Sequence, residues 1–274
     1  MTVPPADQRR RVEAFYDEWT DRFVAGFGTT FQAGFLKRGS ADSEDPEQSA
    51  VLLAERARVR DGDRVLDAGC GVGGPAVAVA RHLPSTRWCC MTVSGVQAAR
   101  AHGLVYAAGL PSRVQVVRAD YHHVPAAGAS FDVVLFLESC GYSPDREALF
   151  AEAARVVRPG GHIYVKDVFA RPGPLGPEEA ADLAAFDDLW RLAASPTLPE
   201  VSAALAAAGC EVLVAASLET VGTDRFVAAM AEPDPVTVLR LSELGRSFLL
   251  SAPACPTFFG EVLARRPSQQ TVAP

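Results

Sequence analysis

Residues 65–75 read Val-Leu-Asp-Ala-Gly-Cys-Gly-Val-Gly-Gly-Pro, a short apolar run that passes into a glycine-rich loop and ends at a proline. The apolar run predicts a buried strand, and the proline fits the first turn of a following helix. Glycines between them let the chain turn tightly and let a ligand come close to the main chain. The stretch therefore predicts a strand–loop–helix unit of an α/β protein, with a ligand site at the loop.

Apolar runs and helical patterns alternate on both sides of this loop. Strands are predicted at 65–69, 87–93, 114–120, 131–139, 162–169, within 201–219 after a glycine stop, and at 258–267. Helices are predicted at 8–25, 49–58, 75–83, 95–109, 146–157 and in the first half of 201–219. Strands that alternate with helices and read as apolar runs form parallel sheets covered on both faces. We therefore predict an α/β fold with a doubly wound, mostly parallel seven-stranded sheet.

The regions flanking this sheet predict a cap and two insertions. Residues 1–58 are predicted to form an N-terminal helical cap at a substrate entrance, and 59–267 the main domain. Insertions are predicted at about 171–198 and at 224–250, the second being a helical lid over the carboxyl edge of the sheet. Residues 268–274 are predicted to be a disordered tail.

The composition narrows the class of protein. A net charge of −7 argues against nucleic acid as a partner, because phosphate binding needs a concentrated basic face. No apolar run is long enough for a membrane span, and the N-terminus has no apolar segment typical of a secretory signal. Six scattered cysteines lack the paired spacing of a zinc or iron–sulfur site, so we expect no metal. We expect a cytoplasmic protein with reduced cysteines.

The glycine loop by itself fits two ligands. Gly69, Gly71 and Gly74 also satisfy the dinucleotide pattern G-x-G-x-x-G. A dinucleotide site needs an acidic residue about 20 positions on, but no Asp or Glu lies between Asp67 and Asp120. Asp67, two residues before the first glycine, would repel a pyrophosphate and suits a ligand with an ammonium and a sulfonium group. The methyl donor S-adenosylmethionine carries both, and we favour it over a nicotinamide cofactor.

Successive motifs over about residues 60–170 resemble those of class I S-adenosylmethionine-dependent methyltransferases. They are DAGCGVGGPA, MTVSGVQAARA, ADYHHVP, FDVVLFLES and RVVRPGGHIYVKD. The branch that the chain most resembles contains sterol and tocopherol C-methyltransferases, cyclopropane fatty acid synthases and bacterial natural-product methyltransferases. GCGVGGP is similar to a sterol-methyltransferase string, and FYDEWTDRFVAGFGTTFQAGF to the aromatic entrance segment of that branch. The resemblance implies a Rossmann-like methyltransferase fold.

The resemblance also implies roles at the cofactor site. Asp67, Gly69, Gly71 and Gly73 would line the methionine end of the donor. The string Thr92, Val93 and Gln97 would replace the usual ribose-binding acid with backbone and amide contacts. Asp120 would accept a hydrogen bond from the adenine amine, and Tyr121 would pack beside the adenine ring. Tyr16 would close over the bound methyl donor.

The acceptor is predicted from the segment after the fourth strand and from the aromatic side chains. Related sugar O-methyltransferases carry a histidine pair where this chain has Gly141 and Tyr142. This difference argues against methylation of oxygen. Glu138 remains, as in C-methylating relatives, and we take Glu138, His123 and Tyr142 as candidate catalytic residues. Carbon methylation passes through a cation that aromatic faces and a carboxylate stabilise. The predicted pocket residues are therefore Trp19, Phe23, Phe27, Phe31 and Trp190. Packing in the core or lid is the better explanation of any one of them alone, and the set carries the prediction.

These observations favour a C-methyltransferase of a small prenyl, terpenoid or indolic intermediate of specialised metabolism. One alternative is an N- or O-methyltransferase of a small aromatic or sugar natural product. Another is a protein that binds the donor without methylating, as a cyclase or an interaction protein. Lys166 and Asp167 fit a solvated strand end as well as a site. The partner expected is a small-molecule acceptor, and the aromatic N-terminal segment is compatible with a homodimer.

Overall fold

The structure is a computed structural model that describes residues 5–30, 32, 36, 45–219 and 256–268. Its seven helices are α1 (Pro5–Phe27), α2 (Pro46–Arg56), α3 (Gly74–His82), α4 (Gly95–Ala107), α5 (Arg146–Val156), α6 (Pro177–Trp190) and α7 (Leu198–Ala207). Its strands are β1 (Arg64–Ala68), β2 (Arg87–Thr92), β3 (Val114–Arg118), β4 (Phe131–Leu137), β5 (Val157–Ala170), β6 (Glu211–Ser217) and β7 (Thr257–Arg265). Among these helices, none has the length and apolar character needed to cross a bilayer.

The helix starts follow from local sequence signals. The Ser94 side chain accepts a hydrogen bond from the Gln97 amide and so caps α4. Asp145 caps α5 in the same way. At α7, Thr197 and Glu200 form a reciprocal capping box. These caps satisfy backbone amides that a helix start leaves without partners.

The seven strands form one sheet in the order β3-β2-β1-β4-β5-β7-β6. Within the described residues, β7 is the strand that runs antiparallel to its neighbours β5 and β6. The predicted mostly parallel, seven-stranded, doubly wound sheet is confirmed. Strand order reverses between β1 and β4, and in such sheets the crevice outside the carboxyl ends at this point binds ligands.

Side chains alternate along the strands between two cores, one on each face of the sheet. Val65 packs with the buried residues of α2 and α3. Leu66, the next residue, packs on the opposite face with α5 and α7. Burial on both faces explains why β1 reads as a continuous apolar run rather than an alternating one.

One boundary differs from the prediction. The strand predicted at 162–169 begins at Val157 and includes Pro159 and Gly160, which we had expected to close a helix as a turn. Val157 pairs with Phe131, and the register between β4 and β5 shifts before His162 pairs with Val133. This irregularity accommodates the proline within the strand, since a bulge needs fewer ladder hydrogen bonds.

The predicted insertions, tail and domain division are only partly covered by the described residues. The 171–198 insertion contains α6, whereas the predicted lid at 224–250 lies outside the described residues, as do residues 269–274 of the predicted tail. The division into a cap (1–58) and a main domain (59–267) stays a prediction.

Candidate active site

A cavity of about 580 Å³ lies at the carboxyl edge of the sheet, where the strand order reverses. The glycine loop after β1, the loops after β2, β3 and β4, and one face of α1 all contribute to its lining. Parallel strands present their carboxyl ends at the same edge, so the predicted cofactor residues from separate motifs come together here.

The glycine loop owes its shape to close packing against the segment after β4. Gly69 has a φ of +100°, and a Cβ atom on it would lie 2.5 Å from Cβ of Ser139. The Ser139 hydroxyl donates to the carbonyl of Ala68 at 2.6 Å. Only glycine fits at position 69. Ser139 also lines the cavity, a role not predicted from the sequence although Ser139 directly follows Glu138.

Asp67 gives the cavity its sharpest electrostatic feature. The residue is 1% exposed and lines the cavity, and neither carboxylate oxygen has a hydrogen-bond partner among the described residues. Burial raises the pKa of this carboxyl to about 7. A buried carboxylate without donors needs a cationic partner. The ammonium group of S-adenosylmethionine meets that need, so the chain's own residues fit this cofactor.

The loop after β2 supplies neutral polar groups. Thr92 donates its hydroxyl hydrogen to the side-chain oxygen of Gln97 at 2.7 Å, and both residues are buried. Thr92, Val93 and Gln97 all line the cavity. The site thus has hydroxyl, amide and backbone groups where a dinucleotide site would have an acid.

Asp120 is held by His122, the neighbour of the predicted catalytic residue His123. Nδ1 of His122 lies 2.8 Å from Oδ1 of Asp120, and Nε2 of His122 lies 2.9 Å from the Ser143 hydroxyl. Burial alone would raise the pKa of Asp120, but the hydrogen bonds and charge of His122 lower it below its ordinary value. The predicted catalytic residue His123 lies exposed at the cavity edge. His122 is therefore the better ordered of the two histidines, because two hydrogen bonds fix its ring.

Two buried charged side chains lie beside the predicted catalytic residue Glu138. Lys166 is 0% exposed, and its ammonium forms a salt bridge with the Glu138 carboxylate. Asp167 is 6% exposed, and its carboxylate accepts hydrogen bonds from the backbone amides of Cys140 and Val168. The interpretation of Lys166 and Asp167 as a solvated strand end is therefore wrong, because the strand end is covered. Glu138 has a φ of +54°, an uncommon backbone conformation for a residue other than glycine.

Helix α1 forms the aromatic wall of the cavity. Its Tyr16 hydroxyl lies 2.5 Å from the Tyr142 hydroxyl, and burial raises the pKa of both tyrosines. Phe23 and Trp190 also line the cavity, with ring centroids 6.1 Å apart. Gln8 contributes a buried side-chain oxygen that has no partner within the described residues. The wall is thus mainly apolar, with a few hydroxyl and amide groups.

Most of the predicted site residues line this cavity. They are Tyr16, Phe23, Asp67, Gly69, Gly71, Thr92, Val93, Gln97, Asp120, Tyr121, His123, Glu138, Tyr142 and Trp190. Gly73 does not line it; with a φ of +82° it shapes the turn into α3. Trp19 and Phe27 also do not, because their rings pack against Phe23 behind the wall. Phe31 lies outside the described residues.

The described residues contain no group of three or more His, Cys, Asp or Glu side chains arranged to hold a metal ion.

Comparison with known proteins identifies the family. A profile described as a methyltransferase domain matches residues 65–161. Methyltransferase GfsG of Streptomyces halstedii is 30% identical over 262 residues, covering 93% of this chain and 82% of that protein. The 27-O-demethylrifamycin SV methyltransferase of Amycolatopsis mediterranei (strain S699) is 36% identical over 185 residues, covering 66% of each chain.

A more distant relative and a solved structure extend the comparison. The 24-methylenesterol C-methyltransferase 2 of Oryza sativa subsp. japonica is 34% identical over 154 residues, or 56% of this chain. That match spans 42% of the plant protein, well under two thirds of its length. The crystal structure of the [4+2]-cyclase SpnF superposes with a TM-score of 0.79 at 23% identity, covering 98% and 99% of the two chains. At that identity, the likeness shows the fold.

The unpartnered Asp67 carboxylate beside the glycine loop and the match along nearly the whole chain point the same way. This protein belongs to the S-adenosylmethionine-dependent methyltransferases.

Proposed function

We propose that this methyltransferase acts on carbon, in an uncharged prenyl, terpenoid or indolic intermediate of specialised metabolism. The observation that carries the proposal is the Glu138 carboxylate, held by the buried Lys166 beside an aromatic-walled cavity. Bound S-adenosylmethionine supplies an activated methyl group. The protein's contribution is to orient the acceptor and to stabilise the charge that the transfer creates on it.

The charges lining the cavity favour an acceptor without phosphate groups. Asp67 and Asp167 are buried carboxylates that face the cavity, and Glu138 lines it as well. Arg9 and Arg10 are the arginines among its described lining residues, and both are exposed. A diphosphate needs several cationic groups around it. The interior of this cavity therefore suits a neutral, lipophilic molecule.

Glu138 has a defined task in this proposal. Methylation of an alkene or an electron-rich ring leaves a positive charge on the acceptor, and a proton must then be removed. The salt bridge with Lys166 orients the carboxylate, and the faces of Tyr16 and Tyr142 add favourable contacts for a cation. Glu138 would stabilise the cation and accept the proton.

Methylation of oxygen is the second candidate. It is favoured by the relative from Amycolatopsis mediterranei, whose name specifies an O-demethylated substrate. A hydroxyl acceptor needs a base within hydrogen-bond reach, and Glu138 or His122 would serve. The aromatic wall suits a lipophilic alcohol or phenol equally well, and the described lining residues include no buried arginine that would hold a phosphate.

Product analysis with a deuterated methyl donor tests the proposal. The purified protein is incubated with prenylated, terpenoid, indolic and phenolic acceptors, and products are located by mass spectrometry and NMR. A carbon-bound CD₃ group would support the main proposal, and an oxygen-bound one the second candidate. Glu138→Gln should lower kcat by about 10²- to 10⁴-fold, with S-adenosylhomocysteine binding intact, if Glu138 handles the proton. An unchanged kcat would remove Glu138 from the mechanism.

A further inference from the structure

A second cavity, of about 400 Å³, lies at the opposite edge of the sheet from the cofactor cavity. We call it the rear cleft, and its lining residues are Arg58, Arg60, Asp63, Asp132, Val133, Arg158, Gly160, His162, Arg265 and Ser268. They come from the segment between α2 and β1, the amino ends of β4 and β5, and the end of β7 with the residues after it. His162 pairs in register with both Val133 and Arg265, so three strands meet at the cleft.

The rear cleft carries an excess of positive charge in an acidic protein. Four arginines and two aspartates line it, which leaves two positive charges when His162 is neutral. Asp132 is already engaged by Arg158 through a salt bridge. Asp63 accepts from the backbone amide of Arg60 at 2.8 Å. Arg265 pairs with Glu211, which is outside the lining.

Arg58 and Arg60 have no carboxylate partner among the described residues, so their guanidinium groups are available. Arg58 also has a φ of +62°, at the end of α2 where glycine is the usual residue. This conformation belongs to the motif that ends α2, in which the amide of Val59 donates to the carbonyl of Ala54 and that of Arg58 to the carbonyl of Glu55.

His162 contributes a buried polar atom beside the arginines of the rear cleft. Its Nε2 atom is buried and has no hydrogen-bond partner within the described part of the chain. Burial and the nearby charges of Arg58, Arg265, Arg60 and Arg158 together lower the pKa of His162 to about 4. A bound anion would offset these positive charges and so raise the pKa of His162.

We propose that the rear cleft binds a phosphate-class dianion, either free or as a monoester of a small molecule. Arg58 and Arg60 would provide the main contacts, because guanidinium groups match phosphate oxygens in geometry and charge. Arg158, Arg265 and His162 would complete the site. This assignment is independent of the methyl acceptor, because the rear cleft and the cofactor cavity share no lining residue.

Calorimetric titration with inorganic phosphate, at constant ionic strength, tests the proposal. The protein is first saturated with S-adenosylhomocysteine, so that phosphate cannot enter the cofactor cavity. We expect saturable binding, at least tenfold weaker in the double variant Arg58→Gln/Arg60→Gln. The matched control is Arg81→Gln/Arg87→Gln, which removes the same charge from exposed positions outside the cleft. Equal phosphate affinity in the Arg58/Arg60 variant, or no binding to the wild type, would overturn the proposal.

Two further measurements sharpen the result. A parallel titration with glycerol phosphate distinguishes a site for phosphate monoesters from a site for free phosphate. A monoester site should bind glycerol phosphate more tightly than inorganic phosphate, whereas a free-phosphate site should not. NMR of the His162 ring with sulfate, which stays dianionic across the titration, should show a pKa that rises from about 4 when sulfate is bound. An unchanged His162 titration would place any bound anion elsewhere and contradict the assignment.

Discussion

The backbone carbonyl oxygen of Thr29 lies 2.2 Å from the position that a Cβ atom on Gly74 would occupy. Thr29 follows the end of α1, and Gly74 is the first residue of α3, after the glycine loop. The N-terminal cap therefore contacts the cofactor loop through a main-chain approach that only glycine permits.

Gly74→Ala should push the N-terminal cap away from the glycine loop. Gly74 does not have a positive φ, so alanine is tolerated by the backbone and the effect is steric. We expect a loss of about 1–3 kcal/mol in the free energy of unfolding and about tenfold weaker S-adenosylhomocysteine binding. Gly103→Ala is the control, because its Cβ would meet nothing within 4 Å and alanine favours the helix. Equal behaviour of the two variants would refute the contact's importance.

Asp17 should tether α1 over the cofactor cavity. Its carboxylate accepts from the Ser94 hydroxyl at 2.6 Å and from the Val96 amide at 3.1 Å, at the start of α4. Asp17→Ala should raise the dissociation rate of S-adenosylhomocysteine at least tenfold, since even one hydrogen bond to a charged group contributes about 1.5–3 kcal/mol. Asp21→Ala, four residues on, removes only an exposed ion pair with Arg100 and should change the rate little. Stopped-flow fluorescence checks both; a larger effect at Asp21 would contradict the tether.

Asp67 should make both stability and cofactor binding depend on pH. Burial raises the pKa of Asp67 from 3.8 to about 7, so the folded protein keeps a proton that the unfolded chain releases. Stability without ligand should therefore fall as pH rises from about 4 to 7, by at most about 4 kcal/mol. Asp67→Asn should lack this component and unfold at a higher temperature than wild type at pH 8.

The same titration acts on the ligand in the opposite direction. The ammonium of S-adenosylhomocysteine requires the ionised carboxylate, so its affinity should fall as pH drops below about 7 in the wild type. Asp67→Asn should bind at least tenfold more weakly at pH 8 and show no such trend. Calorimetry from pH 5.5 to 8 measures this, and parallel curves for the two proteins would disprove the role of Asp67.

Lys166 should support both folding and the orientation of Glu138. Lys166→Met would leave the Glu138 carboxylate without its buried salt-bridge partner, at a cost of about 3–5 kcal/mol in the free energy of unfolding. The double variant Lys166→Met/Glu138→Gln should recover most of that stability, because no unpaired charge remains, yet stay inactive. Thermal unfolding, and turnover of an acceptor found by the product analysis, report the two effects separately. Full activity of the double variant would exclude the pair from the reaction.

The sequence by itself determined the sheet and the cofactor. The continuous apolar runs of β1 and β4 indicate strands buried on both faces, as in a parallel sheet. The position of Asp67 before the glycines favoured S-adenosylmethionine over a dinucleotide. The start of α4 likewise depends on local sequence, because its cap Ser94 accepts from the amide of Gln97 only three residues away.

Only the tertiary structure decided which side chains meet. Ser139, His122 and Lys166 acquire their roles from partners 71, 21 and 28 residues away. Local patterns predict whether a residue is apolar or polar, but burial of Lys166 depends on strands that pair only after folding. The same reason separates Phe23, which lines the cavity, from Trp19, which stands behind it: both are aromatic residues of one helix, and the packing of α1 against Trp190 and Tyr142 decides between them.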